Sequence, residues 1–186
     1  MNDLRNEIYI VRPGDTFWKI ASLYQVGVTE LIIANPQILN PNLIYIGQQV
    51  NIPSSSSYRT MEEEIVRLVN EERSRRGLNL LSENWEISRV ARIKSQDMID
   101  SNYFSHNSPI YGSPFQMLTS FGIRYSQAAE NIAYGQQTAQ QVMNTWMNSS
   151  GHRANILNPN FNQIGVGVAK KGLNNQNYFT QIFVKS

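Results

Sequence analysis

The chain carries two histidines, His106 and His152, and no cysteine. Glu130 lies between them in Ala129-Glu130-Asn131-Ile132-Ala133-Tyr134-Gly135, and His152 stands in Ser149-Ser150-Gly151-His152-Arg153-Ala154-Asn155. Imidazole titrates near neutrality, so a histidine–glutamate set can move a proton. Two imidazoles with one carboxylate and water can also hold zinc, with protons competing for the nitrogens as pH falls. The third reading is structural: His152 helps to start a helix turn, and Glu130 accepts backbone N–H groups and pins a loop. No local spacing unites the three residues, so only a fold can do so. Other chemistries lack their signatures. Gly-x-Ser-x-Gly and His-Glu-x-x-His are absent, and Ser105, Ser108, Ser149 and Ser150 read as turn and cap residues. Without cysteine there are neither disulfides nor thiolate metal sites.

The elements that must position these residues follow from periodicity. Thr138 to Met147 reads as a helix with Val142, Met143, Trp146 and Met147 on one stripe, opened by a Thr138/Gln141 capping box. Further upstream, a helix opens with a Thr60/Glu63 capping box, turns Ile65, Leu68 and Val69 inward and ends at Gly77. Its charges, Glu62 to Glu64 and Arg73, Arg75 and Arg76, read as a solvated face matched to the helix dipole. A second helix spans about Glu83 to Ser101, and a third runs from Gly112-Ser113-Pro114 to Phe121. Ile164, Val166 and Val168 alternate with glycines, and Tyr178 to Val184 is rich in β-formers; these predict a hairpin with Lys170 to Asn177 as its loop. Tyr134, Trp146 and Tyr178 read as core residues rather than a groove.

The first 53 residues follow a different pattern. Ile8 to Val11 alternates as a strand ending at Pro13-Gly14, and Asp15 is the expected N-cap of a helix facing inward through Phe17, Ile20, Ala21 and Tyr24. A second helix, about Thr29 to Ala34, stops at Asn35-Pro36, and Gly47 to Pro53 reads as a last strand. Ser54 to Ser57 is a polar break. The expected division is 1–53, a linker at 54–60, and 61–186, in an α+β chain.

His106, Glu130-Asn131-Ile132 and Gly151-His152-Arg153-Ala154-Asn155-Ile156-Leu157 together resemble the CAP superfamily of cysteine-rich secretory, antigen-five and pathogenesis-related proteins, in its cysteine-free bacterial branch. The resemblance implies an α-β-α sandwich whose cleft holds two histidines and two glutamates. His106, Glu130 and His152 match three of these positions, and Ser149 stands at the fourth, which favours binding over a mechanism that needs two acids. Residues 8–53, through Tyr9-Ile10-Val11-Arg12-Pro13-Gly14-Asp15-Thr16, Ile20-Ala21, Leu31, Asn35-Pro36 and Ile46-Gly47-Gln48 to Ile52-Pro53, resemble over nearly their whole length a βααβ LysM domain. That likeness implies a peptidoglycan or chitin site between two loops, with Gly14, Asp15, Thr16, Phe17, Asn40, Pro41, Ile44 and Ile46 as candidate contacts. Core packing is the other reading of Phe17 and Ile44.

Two function classes remain. One is a wall-bound module whose LysM domain holds an N-acetylglucosamine polymer while the CAP cleft takes a lipid, a small ligand or a protein partner. The other is a wall-anchored hydrolase, metal-dependent or general-base, that uses His106, Glu130 and His152. No cofactor is implied beyond zinc at His106 and His152 with Glu130. The net charge of +2 gives no case for nucleic acid. No apolar run approaches the ~20 residues of a membrane span. The first residues lack a basic region followed by an apolar core, so no signal peptide is read there. Either a signal has been removed or export proceeds without one. The pairing of domains resembles envelope proteins of spore-forming bacteria, which implies a cell-wall or spore-envelope location.

Overall fold

The computed structural model describes residues 7–53, 56–171 and 176–186, and the chain divides into two units, Met1–Ser57 and Tyr58–Ser186. In the first, β1 (Glu7–Ile10) pairs antiparallel with β2 (Gln49–Ile52), and α1 (Phe17–Tyr24) and α2 (Val28–Ile33) lie between them in sequence. Strand alternation turns Tyr9, Val50 and Ile52 into a core with Phe17, Ile20, Ala21 and Leu31, and leaves Ile8 and Ile10 exposed. The N-cap of α1 is Thr16, whose hydroxyl accepts from Lys19 N at 3.2 Å, and not the expected Asp15. Asp15 is one residue too early. Its carboxylate instead accepts from the Arg12 amide and the Tyr9 hydroxyl, each at 2.7 Å, and so closes the turn at Pro13-Gly14. Buried Asn35 ends the helical segment by joining it to β2: its amide donates to the Leu31 and Asn51 carbonyls, and its oxygen accepts from Asn51 N, all at 2.7 Å.

The second unit is built on a four-stranded sheet of order β3-β5-β6-β4, with β3 (Ser82–Glu83), β4 (Gln127–Tyr134), β5 (Gln163–Lys171) and β6 (Gln176–Lys185). The hairpin of β5 and β6 is longer than its expected loop allowed, and residues 172–175 lie outside the described residues. Ile164, Val166, Val168, Phe179 and Phe183 cover one face. They pack on α3 (Ser56–Ser74), α6 (Ala139–Asn148) and α7 (Ser150–Ile156) through Ile65, Val142, Trp146 and Ile156. The other face meets α4 (Trp85–Asp100) and α5 (Pro114–Ser120) through Ile87, Val90, Ala91, Met117 and Leu118. This is the α-β-α sandwich. The glycines of β5 allow α4 to approach closely, since a Cβ on Gly167 would lie 2.0 Å from Arg92 N and one on Gly165 2.3 Å from Ser88 N.

Three local expectations change. The helix α3 begins at Ser56, so Thr60 and Glu63 lie inside it rather than at its cap, and the linker expected at 54–60 is helical from residue 56. Ser54 and Ser55 lie outside the described residues. Its charges are also not all solvated. Glu62 is buried and paired with Arg92, with Nη2 2.6 Å from Oε2, while its Oε1 accepts from Val168 N at 3.0 Å. Arg73 is fully buried and donates to the carbonyls of Asn79, Ile156 and Asn158. Pattern reading assigns charge to solvent, but a charge is tolerated inside when partners meet its hydrogen bonds. At α6 the Thr138 hydroxyl caps Gln141 N, but the Gln141 side chain accepts from Gln137 N and not from Thr138 N, so the box is incomplete. The complete capping box is at α5, between Ser113 and Gln116.

Candidate functional site

Glu130 lies in β4, not in a loop, and opposes Ile182 of β6. It is buried, and its Oε1 lies 2.7 Å from Nδ1 of the exposed His106 ring. A carboxylate at that distance accepts a hydrogen bond from Nδ1–H, the tautomer that leaves Nε2 as an acceptor. Burial pushes the Glu130 carboxyl above its usual range, against the opposing pull of the His106 hydrogen bond and the Lys94 charge. Its Oε2 is buried and unpartnered among the described residues.

The loop bearing His106 is held from below by Lys94, which sequence reading missed. Lys94 is 1% exposed, and its ammonium donates to the Tyr103 hydroxyl and to the carbonyls of Ser105 and His106 at 2.8–2.9 Å. Three donors meet three acceptors, so the cation is satisfied without water. Asp97 completes the network by accepting from the Tyr103 hydroxyl and from Ser108 Oγ. Ser108 in turn accepts from the amides of Ile110 and Tyr111, and Ser105 accepts from Asn107 N. Both serines are turn residues, as expected. The sequence signal was a lysine and an aspartate three residues apart on the inward side of α4, where the helical pattern asks for apolar residues.

His152 lies in the short helix α7, held from two sides. Asn131, the neighbour of Glu130, points to the opposite face of the strand and donates to the His152 carbonyl at 3.1 Å and to Gln181 Oε1 at 3.0 Å. Asn155 donates to Asn131 Oδ1 at 2.8 Å, and Arg73 donates to the carbonyl of Ile156, the last residue of the helix, and to that of Asn158 just beyond it. Strand alternation therefore sends Glu130 to the His106 loop and Asn131 to the His152 helix. Among the described residues the His152 ring makes no hydrogen bond to His106 or Glu130, and its Nδ1 is buried and unpartnered. Ser149 is both the last cap of α6 and the first of α7, without a side-chain capping bond. Of the three aromatics expected in the core, Trp146 and Tyr178 are buried, but Tyr134 is 48% exposed. It stacks on Tyr178 and meets Phe104 edge-on at 4.7 Å, making an aromatic wall two residues from His106.

Among the described residues, no group of three histidine, aspartate or glutamate side chains is gathered closely enough to hold a metal ion. His106 and Glu130 are in contact at 2.7 Å, and the charge of His106 bears on His152. Burial, with the charge of His106 second, lowers the His152 pKa below its ordinary 6.5. The folded state thus resists protonation, so this stabilisation is full above pH 6.5 and is lost as pH falls from there through the folded pKa. Glu130, with its raised pKa, contributes in the opposite sense in wild type and variant alike, so the expected signal is a difference: from pH 7.5 to 5.5 the wild-type Tm should lose ground relative to His152→Gln. EDTA should leave the wild-type Tm unchanged at both pH values. An equal slope in the variant would remove His152 from the pH response, and a large loss on chelation would mean a structural metal.

In the first unit a groove of about 370 Å³ is lined by Asp15, Thr16, Phe17, Pro41 and Ile44 of the expected contacts. Phe17 serves the core as well, and Ile44 packs partly against it. Gly14, Asn40 and Ile46 do not line the groove. Gly14 makes the turn at φ +82°, Asn40 Oδ1 accepts from Asn42 N, and Ile46 is exposed. Trp18, Val28, Ile32, Asn42 and Leu43 line it and were missed. Trp18, 67% exposed beside an expected binding loop, was the available signal.

A family model for the cysteine-rich secretory protein family, CAP, matches residues 66–183, and one for the LysM domain matches residues 9–53. The chain is 53% identical over 129 residues, 69% of its length, to the uncharacterized protein YkwD of Bacillus subtilis. It is 46% identical over 50 residues, 27% of its length and 8% of the other protein's, to the spore coat assembly protein ExsA of Bacillus cereus. A crystal structure of an extracellular protein containing an SCP domain from Bacillus anthracis superposes with a TM-score of 0.65 at 34% identity, covering 75% of this chain. The chain spans 49% of the length of YkwD and 47% of that crystallised chain.

Proposed function

We propose that this chain, which belongs to the cysteine-rich secretory protein family and carries a LysM domain ahead of its CAP domain, is a cell-wall-binding protein that grips peptidoglycan or another N-acetylglucosamine polymer through its first unit. The CAP domain then presents the His106–Glu130 cleft and its aromatic wall to a small ligand, lipid or protein partner at the cell or spore envelope. The observation that carries the reading is the groove of about 370 Å³ with Trp18 at its lip. Apolar walls cover the faces of a sugar and its acetamido methyl, while Thr16 and Asn42 offer polar contacts. The names of the spore-coat and extracellular relatives support an envelope location.

Calorimetric titration of the full chain with N-acetylglucosamine oligomers is expected to give saturable binding. Trp18→Ala should weaken it at least about tenfold, a loss of ~1.4 kcal/mol, with no change in Tm because that side chain is outside the core. Absence of heat at millimolar oligomer would sink the proposal.

A general-base hydrolase is the second reading, supported by the His106–Glu130 pair with Nε2 left as an acceptor. Turnover of defined wall fragments that disappears in His106→Ala would select it over binding alone.

A further inference from the structure

We infer that the CAP domain carries a second glycan groove, on α5 and away from His106, that takes the N-acetylhexosamine units of the same polymer as the LysM groove. The inference rests on the wall-binding reading for the identity of its ligand. The site is a shallow, solvent-open depression of about 600 Å³ lined chiefly by Tyr111, Phe115, Gln116, Thr119, Ser120 and Tyr125. No acidic or basic side chain lines it, so it offers no opposite charge to an anionic or cationic ligand.

The lining has two kinds of group. Phe115, 49% exposed, and the two tyrosines supply flat apolar surface. The rest supply neutral hydrogen-bonding groups whose orientation the fold sets. Thr119 and Ser120 donate their hydroxyl protons to the carbonyls of Phe115 and Gln116, and Tyr125 donates to the Phe115 carbonyl. All three hydroxyl oxygens therefore face a ligand as acceptors. Gln116 is fixed the other way round. Its Oε1 accepts from Ser113 N at 2.8 Å, and its Nε2 makes no hydrogen bond among the described residues, so it remains a donor. Gly112, at φ +73°, makes room for this arrangement, because a Cβ there would lie 2.4 Å from Gln116 Oε1.

Three acceptors and one amide donor beside aromatic rings suit a sugar, whose hydroxyls and acetamido group pair with them while its apolar face lies on a ring. An acyl chain in the same place would strip these polar groups of water and return no hydrogen bonds. The LysM groove likewise has aromatic and aliphatic walls with Thr16 and Asn42 between them, and adds the Asp15 carboxylate. A wall polymer repeats its sugars, so two such grooves on one chain raise the strength of attachment beyond that of either.

The test is an NMR titration of the full chain with N-acetylglucosamine hexamer, read at the Trp18 indole and the Gln116 side-chain amide. Both signals are expected to shift and saturate. Phe115→Ala should weaken the Kd read at Gln116 at least tenfold with the Trp18 response unchanged, and Thr119→Val, a smaller change on the same face, should weaken it in the same direction. Shifts at Trp18 alone would overturn the second groove and leave the LysM reading intact. Shifts at Gln116 alone would uphold the groove and sink the LysM reading, and silence at both would end both. If anionic phospholipid vesicles move Gln116 and the hexamer does not, the groove is a lipid surface and the inference is wrong.

Discussion

Gly167→Ala is expected to destabilise the CAP domain by about 3 kcal/mol or more, at the upper end of overpacking costs. The added Cβ would lie 2.0 Å from Arg92 N, 2.2 Å from the Ala91 carbonyl carbon and 2.6 Å from its oxygen. These are backbone atoms of a packed helix, with no flexible end to swing aside. The whole of α4 would have to lift from β5, which would strain the Arg92–Glu62 pair and the Ser95 hydroxyl bond to the Gly167 carbonyl at 2.9 Å. In a unit of this size the loss corresponds to a fall in Tm of roughly 10 °C. Gly151→Ala is the internal control. Nothing lies within 4 Å of its added Cβ, and it stands in α7 with ordinary backbone geometry, so it should be neutral or stabilising by up to ~1 kcal/mol. Similar Tm values for the two variants would show that α4 does not bear on β5 as described.

Lys94→Met should cost about 3–5 kcal/mol, the range for removing one partner from a buried charged network. The methionine keeps the stem and loses the ammonium, which leaves the carbonyls of Ser105 and His106 without a donor and Asp97 without its neighbouring cation. Because those carbonyls belong to the loop that presents His106, amide exchange should quicken from Tyr103 to Ser108 beyond the global loss of stability. Oligomer binding at the LysM groove should persist wherever the variant is folded. A loss below ~1 kcal/mol with unchanged exchange would mean that the loop is held by its own turns, through Ser105 and Ser108, and not by the lysine.

Much of the site was legible before any coordinates. Glu130 was read as a partner of one or both histidines, and it meets His106 at 2.7 Å. His152 was named with them, but no spacing tells how far a histidine on a helix stands from a glutamate on a strand. The alternation that separates Glu130 from Asn131 decided that, by tying Asn131 to the α7 backbone. Lys94 and Asp97 were passed over for another reason. Pattern reading counts charge as outward, and the partners that reverse the rule, two carbonyls and a phenol, come from a loop nine to twelve residues further along the chain. The misplaced caps at Asp15 and Thr60 have a local cause: capping residue types recur near helix starts, and only backbone geometry selects which one is the cap.

By itself the sequence determined the two-part organisation, the inward faces of the helices and the alternating strands, because burial of apolar surface follows a period that can be counted along the chain. It also determined which side chains could do chemistry, since the chain holds only two histidines. Tertiary structure alone decided which of them touch, which charges are buried, and which surfaces are concave. Hydrogen bonds such as Arg73 to the Ile156 carbonyl and Glu62 to the Val168 amide join residues far apart in the chain, and grooves such as those at Trp18 and Phe115 form from elements whose sequences carry no common signal. Contact and concavity are properties of packed surfaces, and a one-dimensional period describes only the face that each surface turns inward.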